Sequence, residues 1–131
     1  MTRKTHIFTS ICVISILFRF CKLPLYSLLG LIGATTADID SILLIKHRTI
    51  THSLLFFITS TELVMLLNFY VGIVYGISFA IHLWLDSMTK MGAPLFYPWS
   101  KRYYGMKVIK TRSAEDIFIG LAMLTLTFMM I

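Results

Sequence analysis

The chain has 131 residues, 57% of them hydrophobic and only 14% charged, with a mean hydropathy of +0.82; it is short enough for one domain and too apolar for a soluble protein of this size. Its formal net charge of +6 comes from basic residues at the edges of apolar runs, where the positive-inside rule and anionic headgroups account for them. They indicate membrane lipid as the partner and argue against nucleic acid. Cys12 and Cys21 lie in apolar sequence and supply no disulfide framework.

In chain order, Arg3 and Lys4 precede an apolar run from Ile7 to Phe18 that imitates a signal peptide. Arg19, Phe20, Cys21 and Lys22 then stand where a small-residue cleavage site would be, so the segment is expected to stay in the mature protein. Pro24 opens a second run that reaches about Thr36. At 1.5 Å per residue each run is roughly 18 to 20 Å long, short of the roughly 30 Å hydrocarbon thickness. The pair is either one long tilted helix with Arg19 and Lys22 at its middle or a hairpin turning at Arg19 to Pro24. Mid-bilayer charge costs at least about 2.5 kcal/mol per residue, and Pro24 interrupts the helix ladder, which favours the hairpin.

Further membrane segments follow from Leu54 to Asn68 and from Val71 to Leu85, joined by a turn at Asn68 to Gly72. Met88 to Arg112 is polar, aromatic and basic, with Lys101, Arg102, Lys107, Lys110 and Arg112 and no acid, and Gly92-Ala93-Pro94 stops the helix before it. By the positive-inside rule this loop is cytoplasmic. Ser113 is a candidate N-cap for a last apolar helix, with Glu115 and Asp116 favourably placed in its first turn. The expectation is therefore an all-α integral membrane protein with apolar helices over 6–18, 23–36, 51–68, 70–88 and 114–131 and a basic cytoplasmic loop over 89–113. The first two apolar runs form a hairpin or one long broken segment, and three further transmembrane helices follow.

Threading this topology back from a cytoplasmic basic loop brings the chemistry-bearing residues to one membrane face, with the N-terminus cytoplasmic. His6 begins the first helix, Asp38 and Asp40 end the hairpin, His47 and His52 precede the next helix, and His82 and Asp86 close the one after it. Imidazole and carboxylate are metal ligands, and too few protein ligands leave a position for water. His82 and Asp86 share a helix face at i and i+4. Asp38 and Asp40 point the same way only if that stretch is extended. His47 is expected in the loop and His52 in the first turn of its helix.

The order Thr5-His6, Asp38-Ile39-Asp40, His47-Arg48-x-x-Thr51-His52-Ser53, His82-x-x-x-Asp86 and Gly92-x-Pro94-Leu95-x-x-Pro98 resembles the LexA-regulated, membrane-bound metal-dependent hydrolases of bacterial inner membranes. That family usually has Pro before the first Asp of Asp-x-Asp, where this chain has Ala37, so the approach to Asp38 is less rigid. The resemblance implies an integral inner-membrane protein with a divalent metal centre.

A single histidine at a membrane boundary is as readily an interfacial residue as a ligand. Four of them beside acids or at segment ends on one face favour a site, with metal ligands drawn from His6, Asp38, Asp40, His47, His52, His82 and Asp86. Zinc, as one or two ions, is the expected metal, and Asp40 or Asp38 is the candidate general base. Arg48 is either a positive-inside anchor or a bidentate clamp for a substrate phosphate. Glu62 is expected to pair with Arg19 or Lys22 at a similar membrane depth. The expected activity is hydrolysis of an ester or phosphodiester of a lipid or its headgroup. The competing expectation is a small non-catalytic membrane subunit with a structural metal or a partner-docking role.

Overall fold

The computed structural model describes residues 1–41 and 49–130. Among them the fold is all-helical: α1 (Arg3–Cys21), α2 (Gly33–Thr36), α3 (Leu54–Leu67), α4 (Phe69–Met88) and α5 (Ala114–Met130), with 3₁₀ turns at Leu25–Ile32, Ala37–Ser41 and Ile50–His52. Two helices, α1 and α4, are long and apolar enough to cross a membrane, and α3 is a shorter apolar helix.

α1 is capped by Thr2, whose hydroxyl accepts from the Thr5 amide at 3.4 Å. It continues past the expected Phe18 because Arg19 lies in its last turn, where a cation suits the helix dipole, and donates to the Met130 carbonyl at 3.1 Å. Lys22 then enters the left-handed region at φ 47 and Pro24 follows, so the helix cannot go on. The chain reverses there: Arg3 and Asp38 meet at 3.5 Å across the two arms. The first two apolar runs are a hairpin.

The returning arm is not the single α-helix expected over 23–36. It winds mostly as 3₁₀ helix, which rises about 2.0 Å per residue against 1.5 Å in an α-helix. Its three consecutive segments, Leu25–Ile32, Gly33–Thr36 and Ala37–Ser41, therefore reach roughly 30 Å, close to the length of α1. Long 3₁₀ runs are uncommon and need outside support, and here it comes from backbone-to-backbone packing on α4. A side chain at Gly30 would meet the Val71 carbonyl, and one at Gly33 the Tyr75 carbonyl, inside contact distance. Small residues allow this approach as they do between membrane helices.

Asn68 both ends α3 and caps α4, accepting from the Val71 amide at 3.2 Å, so the two helices are joined by one residue. α4 is the central element. It packs against α3, α1 and the returning arm, while α1 also packs along α5. Phe79 is its fully buried centre, in edge contact with Phe56, Phe57 and Tyr75 at 6.1, 5.6 and 5.9 Å. No residue of α3 is buried, and large apolar side chains such as Leu66, Leu67, Phe118 and Phe128 stand outward, as lipid-facing residues do. Glu62 shares that outer surface of α3 and forms no ion pair among the described residues. The expected partnership with Arg19 or Lys22 does not occur because α1 lies beside α5 and α4, and Arg19 is bonded to the end of α5. Cys12 and Cys21 are free thiols.

The segment after α4 folds back over the end of the bundle. Ala93 and Tyr104 exchange backbone hydrogen bonds at 2.9 Å, and the Lys90 amide donates to the Ile109 carbonyl at 2.8 Å. Ile109 packs with Met1 and Leu85, so the basic segment and the chemistry-bearing ends of α1 and α4 lie at the same end. Ser113 caps α5 by accepting from the Asp116 amide at 3.4 Å.

Candidate metal centre

Four separate stretches deliver the site. His6 comes from the first turn of α1, Asp38 and Asp40 from the 3₁₀ turn that ends the hairpin, His52 from the 3₁₀ turn before α3, and His82 and Asp86 from successive turns of one face of α4. His6, Asp40, His52, His82 and Asp86 are buried, and Asp38 is the most accessible at 12% side-chain exposure. His47 and Arg48 lie outside the described residues.

Asp86 is the hub. Its Oδ1 lies 3.3 Å from His6 Nε2 and 2.8 Å from the Met1 α-ammonium; its Oδ2 lies 3.2 Å from His52 Nε2 and 3.5 Å from His82 Nε2. Asp38 Oδ1 is 3.9 Å from both His52 Nε2 and His82 Nε2. The His6 and His82 rings stack at 3.9 Å, and His52 meets His82 edge-on at 5.4 Å. Two overlapping donor sets result, His6 with His82 and Asp86, and Asp38 with His52 and His82, each set within 4.8 Å.

The supporting contacts fix which nitrogens face inward. His82 Nδ1 is 2.7 Å from the Ala34 carbonyl, and a carbonyl only accepts, so Nδ1 carries a proton and Nε2 is the nitrogen that faces the two carboxylates. Among the described residues His82 Nε2 and His6 Nδ1 have no hydrogen bond although both are buried. A neutral ring turns a lone pair toward those carboxylates, and a metal ion or a proton between them would relieve the repulsion. The Asp86 distances from the three rings, 3.2 to 3.5 Å, exceed the about 2.7–2.9 Å of a charge-assisted hydrogen bond. They agree with the roughly 3.3–3.6 Å that separates N and O donors on a tetrahedral ion with bonds of about 2.0–2.2 Å. The two donor sets are therefore groups that could hold a metal ion.

Asp38 and Asp40 do not point the same way, because their stretch is a 3₁₀ turn with three residues per turn rather than extended chain. They clasp His52 from two sides. Asp40 Oδ2 lies 3.6 Å from Nδ1 and accepts the Thr51 hydroxyl at 3.1 Å, while Asp38 lies toward Nε2. Burial pushes the His52 imidazole below its ordinary value, outweighing the opposing pull of Asp86, so the ring is neutral near pH 7 as a ligand must be.

Several contacts around the site are not readable from the sequence. The Ala34 carbonyl carries no side-chain signal at all. Thr5 and Thr51, each directly before a site histidine, work through hydroxyls: Thr5 donates to Asp116 Oδ1 at 2.7 Å, and Thr51 to Asp40. Asp116 also receives the Thr2 amide at 3.0 Å and the Arg112 amide at 2.9 Å, so the start of α5 holds the first turn of α1, and with it His6. The Leu95 carbonyl accepts from the Leu54 amide at 2.8 Å and ties the Gly92–Pro98 segment to the start of α3, beside His52.

The profile of the YdjM inner membrane protein family matches residues 1–131. The chain belongs to the YdjM inner membrane protein family. It is thus an inner-membrane protein, in keeping with the outward-facing apolar side chains of α3 and α5 and the apolar lengths of α1 and α4. No curated protein and no solved structure matches it. In this YdjM-family chain the buried histidine and aspartate cluster occupies the end of the bundle from which the basic segment emerges.

Proposed function

We propose that the chain is a membrane-embedded, metal-dependent hydrolase of an ester or phosphodiester in a lipid or its headgroup, acting at the cytoplasmic face. The observation that carries this reading is Asp86 surrounded by three imidazoles at ligand spacing, 3.2 to 3.5 Å. His52, His82 and Asp86 would hold the cation, with Asp38 and His6 beside them. His82 has one inward lone pair, because its other nitrogen is committed to Ala34, which favours one ion over two. Such a cation supplies Lewis-acid polarisation of the scissile group and acidifies water to near neutrality.

The chain's own groups divide the remaining work. Asp38, the accessible carboxylate, is the general base that takes the proton from water. Asp40 is a positioning residue, orienting His52 from behind. The stacked His6 and His82 rings and the buried Thr5 and Thr51 surround donors of which Asp38 is the most accessible. The returning arm, α3 and α5 complete the membrane-embedded body around α1 and α4, and the basic segment anchors its cytoplasmic end. Deep burial of the other donors favours one competing reading, a structural metal that ties the helices together without catalysis.

Hydrolysis of a panel of lipid esters and phosphodiesters by detergent-purified protein separates the two. Chelator-sensitive turnover that Asp38→Asn reduces by about 10² or more, with metal retained, is expected. Bound metal with no turnover on any lipid would leave the structural reading.

A further inference from the structure

A groove of about 360 Å³ opens at the only site carboxylate with appreciable exposure and is lined by Arg3, Ile32, Thr35, Thr36, Asp38 and Ile39. One wall is the first turn of α1 and the other is the returning arm, with the site carboxylate Asp38 among its lining residues. Its lining combines two chemistries. Arg3 Nε lies 3.5 Å from Asp38 Oδ2, with the Arg3 side chain 57% exposed. Ile32 and Ile39 are among the exposed large apolar residues. The Thr36 and Thr35 hydroxyls donate to the Ile32 carbonyl at 2.9 and 3.2 Å, and among the described lining residues Arg3 is the charged donor.

We propose that this groove takes the phosphate-bearing head of an anionic membrane lipid, with Arg3 reading the phosphate and Ile32 and Ile39 supporting the first acyl methylenes. A guanidinium offers a phosphate two parallel donors. The volume is at the small end for ligand sites, enough for a head and the start of a chain, so the acyl tails remain in the bilayer. That arrangement fits a lipid entering sideways from the membrane and not a soluble metabolite. As a substrate subsite the groove rests on the hydrolase reading; as a lipid site it does not.

The test uses the full chain in phosphatidylcholine nanodiscs and measures retention of labelled phosphatidic acid against labelled diacylglycerol of equal chain length, with metal content and helical circular dichroism recorded for each protein. Wild type is expected to prefer phosphatidic acid. Arg3→Gln should weaken phosphatidic acid binding about tenfold and leave diacylglycerol unchanged, with Arg3→Lys between the two. Ile32→Trp, at an exposed position, should weaken both lipids. Arg102→Gln, in the basic segment, should alter neither. Retention unchanged in folded Arg3→Gln and Ile32→Trp proteins would overturn the proposal, as would an equal loss in Arg102→Gln. Absence of metal in wild type, with the lipid preferences as expected, would remove the hydrolase reading and leave the groove.

Discussion

Asp40 stands 3.6 Å behind His52 Nδ1 and accepts the Thr51 hydroxyl at 3.1 Å, so its charge acts through the ring it faces. Outer-shell groups of this kind commonly alter metal affinity by 10–100-fold. Asp40→Asn is expected to weaken metal binding by about that factor, and Thr51→Val by about the lower figure, in chelator-competition titrations. An unchanged affinity in both would remove the positioning role. At this scale the sequence supplied the residue types and their order, since histidines and aspartates at segment ends are visible in one dimension. It could not supply their directions. Whether Asp38 and Asp40 share a face depends on the 3₁₀ winding of their turn, which tertiary packing imposes. Nor does a sequence disclose that the Ala34 carbonyl orients His82.

Among the elements, the returning arm bears most on the site, because it carries Ala34, Asp38 and Asp40 against α4. Its seat depends on Gly33, where an added methyl would collide with the Tyr75 backbone carbonyl. Gly33→Ala is expected to destabilise the protein by about 1–3 kcal/mol and to weaken metal binding with it, measured by thermal unfolding in detergent alongside metal titration. A variant of wild-type stability would mean that the close approach is not needed. The hairpin itself was legible from Arg19, Lys22 and Pro24, a charged break between two short apolar runs. The α-to-3₁₀ change was not, because it answers to the α4 surface rather than to local propensity. The Glu62 pairing failed for a related reason: similar depth in the membrane does not reveal which helices are neighbours, and α1 has α5 and α4 beside it.

In the whole molecule, a cation held by His52, His82 and Asp86 would couple the turn before α3 to α4, adding to the polar contacts that already join α1, the hairpin end and α4. Binding to the folded state alone stabilises by about 2.7 kcal/mol at a hundredfold excess over Kd. Chelator is therefore expected to lower the thermal midpoint of wild type and leave that of Asp86→Ala unchanged; equal shifts in both would place the effect elsewhere. The membrane class was evident from composition, and the convergence of His6, Asp38, His52 and His82 at one end followed from threading charges across the bilayer. The most direct measurement is elemental analysis of detergent-purified wild-type protein beside His82→Ala. The account predicts about one zinc-type divalent ion per wild-type chain, by the single inward lone pair of His82, and a large loss in the variant. A wild type without metal, or a His82→Ala protein that retains it in full, would contradict the account.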